Sequence, residues 1–308
     1  MITILADRKD SETWQKKLQQ VLPDEDIYLF EETKEALKAE FLLCWKPKPG
    51  QLEAFKGLKV IQSLGAGVDH IFDTNPVPKG AKVCRIVDTQ LTKDMWEYVL
   101  AAVLYCIKDF HLYTQQQKDR TWKPAQYATI PSTQIAVLGL GEIGAFVAKR
   151  LAATGFKVRG WSNSKKEIEA VQTFAGPPEF SSCLADTRVL VNLLPLTEAT
   201  RNILNRKNLC CLPKGAFLIN PGRGGHLVEN DLLLLLEEGQ LSGAFLDVFH
   251  TEPLPAGHPF WSHPRIFITP HVASLTNKNS ALDQVVQNYQ NMKKGLPLLN
   301  EVSVAKGY

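Results

Sequence analysis

From residue 133 onward the apolar positions follow two alternating rhythms. Short runs of mostly apolar residues at 133–138, 156–161, 189–194, 216–220, 243–248 and 266–269 have the length of buried strands. After the first run, Ile143, Phe146, Val147 and Leu151 recur at three- and four-residue steps, the stripe of an amphipathic helix. A second helix is predicted over 229–238, stopped by Gly239. Strands alternating with helices predict a parallel sheet covered on both faces. Residues 1 to 95 repeat the rhythm more weakly, with candidate strands at 2–6, 41–45, 60–64 and 82–87. The run 95–107 reads as a buried helix. Near the end, Leu282, Val285, Val286, Tyr289 and Met292 mark another, closed by Gly295.

Composition changes this picture little. A chain of 308 residues fits two domains, and 44% apolar with 22% charged residues is ordinary for a globular protein. The net charge of +3, with no long basic run, gives no electrostatic case for nucleic acid or a membrane surface as partner. The N-terminus turns polar too early for a signal peptide, and 95–107, which contains Glu97, is too short to cross a bilayer. The leucines at 232–236 fail the same length test. Six cysteines show no C-x-x-C pair and no metal-ligand spacing. They read as buried reduced thiols, the vicinal Cys210 and Cys211 included, in a cytoplasmic protein without a metal.

Chemistry enters at Gly139-Leu140-Gly141-Glu142-Ile143-Gly144, a G-x-G-x-x-G turn between a strand and a helix. The first glycine permits the tight turn, the second admits a pyrophosphate to the backbone, and the third lets the helix pack closely. Methyltransferases and plain turns share the pattern, but this setting points to a dinucleotide. An NAD site usually carries Asp or Glu at the end of the second strand. Here that end reads Trp161-Ser162-Asn163-Ser164-Lys165-Lys166, without a carboxylate. Donors near lysine suit a 2′-phosphate, so NADPH is expected over NADH. The plain alternative is a solvated basic turn. Leu194 and Pro195, and Pro221 and Gly222, at the ends of two later strands complete the expected cofactor residues.

Ligands in such folds gather at the carboxyl ends of strands. Arg223, Asp247 and His271 each follow a predicted strand, and Glu252 lies in the turn Thr251-Glu252-Pro253-Leu254-Pro255. This set suits carbonyl reduction. Hydride addition to a ketone leaves negative charge on oxygen, and a histidine that titrates near neutrality can supply the proton. A neighbouring carboxylate orients the ring, while an arginine offers a two-pronged donor to a substrate carboxylate. The other six histidines, His226 among them, read as loop or helix-surface residues without a role.

The runs Asn220-Pro221-Gly222-Arg223-Gly224, Gly243-Ala244-Phe245-Leu246-Asp247-Val248-Phe249, Glu252-Pro253-Leu254-Pro255 and Thr269-Pro270-His271-Val272-Ala273 carry a resemblance. Arg-to-Asp, Asp-to-Glu and Glu-to-His separations of 24, 5 and 19 residues agree with it. The chain resembles the D-2-hydroxyacid dehydrogenase family, and within it the bacterial glyoxylate/hydroxypyruvate reductase branch. Supporting stretches are Leu64-Gly65-Ala66-Gly67-Val68-Asp69, Asp94-Met95-Trp96-Glu97-Tyr98, Trp161-Ser162 and the terminal Lys306-Gly307-Tyr308.

That resemblance implies an α/β protein with two doubly wound domains. A flavodoxin-like substrate domain would span 1–97 plus 274–308, and a Rossmann cofactor domain 98–273. It implies NADPH-preferring reduction of small 2-keto acids, glyoxylate to glycolate and hydroxypyruvate to glycerate. His271 would be the general acid, Glu252 its partner, and Arg223 the group that binds and polarises the keto acid. Asp247 would hold the nicotinamide carboxamide. The N–H groups of Ala66 and Gly67 would bind the substrate carboxylate, and Trp45 would wall the pocket. Two subunits would pair as a homodimer through their cofactor domains.

Two departures stand out. Asn163 occupies the place where this branch carries an arginine for the 2′-phosphate, leaving Lys165 or Lys166 to act instead. Pro221-Gly222 also replaces the more usual small or apolar pair. The alternatives are an NADH-linked enzyme for a larger 2-keto acid and, from another class, a non-catalytic nucleotide-sensing scaffold.

Overall fold

The computed structural model describes residues 1–31, 33–72 and 76–303; the terminal Lys306-Gly307-Tyr308 lies outside the described residues. The chain forms two compact units, one of 1–91 and 276–308, the other of 92–275. The divides thus fall after Leu91 and Leu275, against expected divides after residues 97 and 273.

In the first unit β1 (Ile2–Leu5) runs through α1 (Arg8–Val21) to β2 (Ile27–Leu29), followed by β3 (Phe41–Cys44), β4 (Val60–Ser63), α2 (Asp69–Phe72) and β5 (Lys82–Cys84). The apolar pattern did not single out α1, because it buries a narrow stripe, Trp14 and Leu18, in an otherwise polar sequence. Asp7 caps it by accepting the Asp10 N–H at 3.1 Å.

The second unit begins within α3 (Thr89–Ile107), then α4 (Phe110–Lys118), β6 (Gln134–Leu138), α5 (Glu142–Ala153), β7 (Lys157–Ser162) and β8 (Gln172–Ala175). It continues with α6 (Phe180–Leu184), β9 (Val189–Asn192), α7 (Arg206–Leu209), β10 (Ala216–Asn220), α8 (Glu229–Glu237), β11 (Leu241–Leu246) and β12 (Ile266–Ile268). The strands order as β12-β11-β10-β9-β6-β7-β8, all parallel, which is the doubly wound Rossmann order with one strand added. Because side chains alternate across a strand, Ile135 and Val137 enter one core while Ala136 and Leu138 enter the other. Burial on both faces explains the continuous apolar runs. The edge strand β8 has no fully buried residue, and its sequence was not recognised as a strand.

The chain then returns to the first unit with α9 (Lys278–Lys294) and β13 (Glu301–Val302). That sheet reads β13-β5-β4-β3-β1-β2, parallel except for β13, and its 2-1-3-4-5 core is the flavodoxin-like order. Ala281, Val285 and Tyr289 of α9 are buried in this unit's core beside Trp14 and Phe41. Gly295, at φ +67°, terminates the helix.

The cysteines divide. Cys44, Cys84, Cys106 and Cys183 are buried as free thiols, but Cys210 and Cys211, expected inside, are exposed. They follow α7, and the residues that enter the core there are Leu209 and Leu212 on either side. Among the described residues no helix is long and apolar enough to cross a membrane, and no group of three or more His, Cys, Asp or Glu could hold a metal ion.

Candidate active site

Strands β10, β11 and β12 are neighbours, so their carboxyl ends deliver the arginine loop, Asp247 and His271 side by side along one sheet edge. After β12 the backbone turns through Thr269 and Pro270 and places His271 at φ +57°. A left-handed conformation costs a residue with a side chain about 1–2 kcal/mol. Asp247 offsets that cost. Its backbone carbonyl accepts the His271 N–H at 2.8 Å. Its buried carboxylate accepts the N–H groups of Val272 and Ala273, both at 2.9 Å, and the Thr269 hydroxyl at 2.6 Å.

Behind Thr269 stands Tyr98, which sequence reasoning quoted but gave no role. Its hydroxyl lies 2.6 Å from Thr269 Oγ1. Since the threonine proton goes to Asp247, the tyrosine is the donor in this pair. Burial pushes the Tyr98 phenol well above its ordinary range, keeping that proton in place. Tyr98, Thr269 and Asp247 thus form a chain that braces the histidine turn. A carboxylate offers about four acceptor sites, so at most about one remains on Asp247 for a cofactor amide.

The ring of His271 is held from the other side. Nδ1 lies 2.9 Å from Glu252 Oε2, while Glu252 Oε1 accepts the Phe249 N–H at 3.2 Å. With Nδ1 turned to the carboxylate, Nε2 faces away from it. The side chains of His271 and Glu252 keep 35% and 21% of their exposure, so the pair is only partly withdrawn from solvent.

Arg223 leaves β10 in extended backbone and donates from Nη1 to the Gly222 carbonyl at 2.8 Å. Its loop is packed too tightly for side chains at the glycines. A Cβ on Gly224 would lie 1.9 Å from the Phe249 carbonyl carbon, and one on Gly222 would lie 2.9 Å from Asn192 Nδ2. His226, expected at the surface, is fully buried under this loop. The sequence signal was hidden because a glycine-flanked histidine after a strand reads as an exposed turn.

The glycine turn separates into its three parts. Gly139 sits at φ +93°, and a Cβ there would strike the Leu193 carbonyl oxygen at 2.6 Å. A Cβ on Gly144 would fall 1.7 Å from the Gly139 carbonyl oxygen, so α5 can approach only with glycine there. A Cβ on Gly141 would meet nothing within 4 Å. The fold does not require glycine at that point, which leaves an open approach to the backbone at the start of α5, suited to a pyrophosphate. Leu140 is buried, and Glu142 and Ile143 open the helix.

At the end of β7, Ser162 is buried and donates to the Ser164 carbonyl at 2.7 Å. Asn163, Ser164 and Lys166 are exposed. Lys165 donates to the Thr173 carbonyl at 3.1 Å, a bond that competes with any role toward phosphate. After β9, Leu194 is buried and Pro195 exposed.

In the first unit, Trp45 follows β3 and covers Gly65, where a Cβ would meet its ring at 2.7 Å. Its ring centroid stands 4.3 Å from that of His70. Ala66 and Gly67 lie in the turn between β4 and α2, which Ser63 ties by donating to the Gly67 carbonyl at 2.7 Å.

Residues 100–273 match the family model described as D-isomer specific 2-hydroxyacid dehydrogenase, NAD binding domain. The chain is 41% identical over 305 residues to a glyoxylate/hydroxypyruvate reductase A of Serratia proteamaculans, covering 97% of each chain. It is similar to a D-isomer specific 2-hydroxyacid dehydrogenase from Xanthobacter autotrophicus Py2, solved with NADPH and MES, at TM-score 0.92 and 34% identity over 100% of this chain and 99% of that one. An NADPH-dependent glyoxylate/hydroxypyruvate reductase from Sinorhizobium meliloti, solved with NADP and sulfate, gives TM-score 0.91 and 32% identity over the same shares.

Proposed function

The chain belongs to the D-isomer specific 2-hydroxyacid dehydrogenase family and is an NAD(P)-dependent oxidoreductase, and from that premise we propose that it reduces small 2-keto acids. The substrates in this reading are glyoxylate, giving glycolate, and hydroxypyruvate, giving glycerate, with NADPH preferred over NADH. The observation that carries it is the His271–Glu252 pair at 2.9 Å, braced at the carboxyl edge of the sheet that also bears the glycine turn. A protein that only sensed nucleotide would need no such pair. The relatives named for this activity support the substrate class.

When bound, a reduced nicotinamide supplies the hydride that the keto carbon receives. The residues of the chain manage the rest. Charge gathers on the former carbonyl oxygen, and His271 gives it a proton from Nε2, completing the alcohol. Glu252 holds Nδ1–H and so fixes the ring for that transfer. Arg223 binds the substrate carboxylate and polarises the carbonyl. Gly139 to Gly144 receive the pyrophosphate, with Leu194, Pro195, Pro221 and Gly222 as further cofactor contacts. Asp247 braces the histidine turn and offers its remaining acceptor site to the carboxamide. In the first unit, Ala66 and Gly67 are assigned the carboxylate and Trp45 the restriction to small acids.

The absence of a carboxylate at the end of β7 supports NADPH, with Ser162, Asn163, Ser164, Lys165 and Lys166 as the residues nearest a 2′-phosphate. We further place the enzyme in the cytoplasm as a homodimer through the second unit, where Phe110, Trp122 and Tyr127 are exposed. The test follows reduced-nicotinamide absorbance with NADPH or NADH against glyoxylate, hydroxypyruvate and pyruvate. Fastest decay with NADPH and the first two acids is expected. Faster decay with NADH would overturn the cofactor assignment, and no turnover of either acid would overturn the substrate class.

A further inference from the structure

Beneath the arginine loop lies a buried polar cluster that the reaction scheme leaves unused. Asn192 ends β9, Asn220 ends β10, and His226 closes the turn after Arg223; all three are at 0% exposure. Asn192 Nδ2 donates to Asn220 Oδ1 at 2.9 Å and to His226 Nδ1 at 2.8 Å, while Asn192 Oδ1 accepts the Leu194 N–H at 3.4 Å. Asn220 accepts the Gly222 N–H at 3.3 Å and donates to the Arg223 carbonyl at 3.2 Å. These directions assign the imidazole: Nδ1 accepts, so the ring is neutral and Nε2–H donates to the Pro195 carbonyl at 3.2 Å.

One ring therefore touches two separate βα loops. Through Nδ1 it joins the asparagine pair that shapes the Arg223 backbone. Through Nε2 it holds the 194–196 segment. The loops are close-packed as well, since a Cβ on Gly225 would lie 2.9 Å from Leu196 Cδ2. An apolar side chain could fill this space without placing two polar ring atoms in the core, where each must find a partner. The polar choice makes the relative position of the two loops specific.

We propose that His226 is a positioning residue that couples the 194–196 segment to the loop presenting Arg223, so that cofactor binding at one sets the geometry of keto-acid binding at the other. The inference rests on the roles given above to those two loops. It also separates into two halves. His226→Asn places an amide oxygen near the Nδ1 position, keeping the asparagine link and cutting the Pro195 link. His226→Gln places an amide nitrogen near the Nε2 position and does the reverse.

The experiment measures, for the full chain and both variants, the NADPH dissociation constant by nicotinamide fluorescence and KM for glyoxylate. In His226→Asn the NADPH constant is expected to rise about threefold to tenfold, the worth of one neutral hydrogen bond, with a smaller rise in KM from the severed coupling. In His226→Gln the pattern is expected to cross over. The same factor on both constants in both variants, or no change in either, would overturn the proposal, because a merely structural defect does not sort by which bond is lost. A wild-type measurement guards against variants that fold poorly: saturating NADPH must tighten binding of oxamate, and equal oxamate affinity with and without NADPH also overturns it. Wild-type turnover of glyoxylate tests the underlying reading separately.

Discussion

Glu252→Gln isolates the group that, in the proposed mechanism, holds the proton donor. The carboxylate of Glu252 serves two donors at once, His271 Nδ1–H at 2.9 Å and Phe249 N–H at 3.2 Å. An amide has one accepting and one donating end, so either orientation sets N–H against N–H at one partner or forces Nδ1 to accept. In both cases the carboxylate–imidazolium hydrogen bond is lost, replaced at best by a neutral amide acceptor at Nδ1. Such bonds contribute about 1.5–3 kcal/mol, and about 1.4 kcal/mol is tenfold in rate. With 35% of the His271 side chain exposed, solvent screening places the loss in the lower half of that range. We therefore expect kcat for glyoxylate to fall about tenfold to fortyfold. The NADPH dissociation constant should stay near wild type, since the proposed mechanism gives Glu252 a part in proton transfer and none in cofactor binding. Absorbance decay gives the first quantity, nicotinamide fluorescence the second, and a thermal melt confirms the fold. A kcat within about threefold of wild type, in folded protein, would refute the assignment of Glu252 as the ring's partner.

The glycine turn predicts opposite outcomes at two neighbouring positions. Gly141→Ala should fold normally but bind NADPH more weakly, while Gly144→Ala should lower the melting temperature, because only the second meets protein backbone; equal melting losses in both would contradict this. Arg223→Lys keeps the charge and loses the planar fork, so kcat/KM for glyoxylate should drop by at least about tenfold, and a wild-type value would exclude two-pronged binding. Asn163→Arg should raise the ratio of NADPH to NADH specificity, and an unchanged ratio would place the 2′-phosphate away from this turn. Burial pushes the Cys44 thiol up to about 12 from an ordinary 9.0. The folded form therefore keeps its proton longer, so this contribution to stability is complete below pH 9.0 and is lost as pH rises toward 12. Denaturation from pH 8 to 11 should show the stability gap between wild type and Cys44→Ala shrinking by roughly 1.4 kcal/mol per pH unit above pH 9; a constant gap would refute the burial argument.

Much of this molecule was legible before folding was considered. A strand buried on both faces must be apolar at every position, so β6, β9, β10 and β11 announced themselves as runs. The turn at Gly139 to Gly144 was readable because its steric demands are local: Gly139 and Gly144 each answer to a backbone oxygen that a side chain would strike. Sequence also singled out His271, just after a predicted strand, and Glu252, in a proline-rich turn, and the fold brings their side chains to 2.9 Å. Short or half-exposed elements such as β2, β8 and α1 left too weak a periodicity to be recognised.

Tertiary structure decided what depends on partners distant in sequence. Tyr98 gains its place from Thr269, 171 residues away, and His226 from Asn192, 34 residues away. Asp247 could be identified by its spacing, yet only the packed turn directs its carboxylate to Thr269, Val272 and Ala273. Burial of a polar side chain is favourable only when its partners are in position, and those positions exist once the strands have been ordered. Residue order along this chain specified the strands, the glycine turn and the chemical groups at the strand ends. The hydrogen-bond directions that make an ordinary-looking histidine a structural link, or an aspartate a brace, arise from the three-dimensional arrangement of loops that no local pattern encodes.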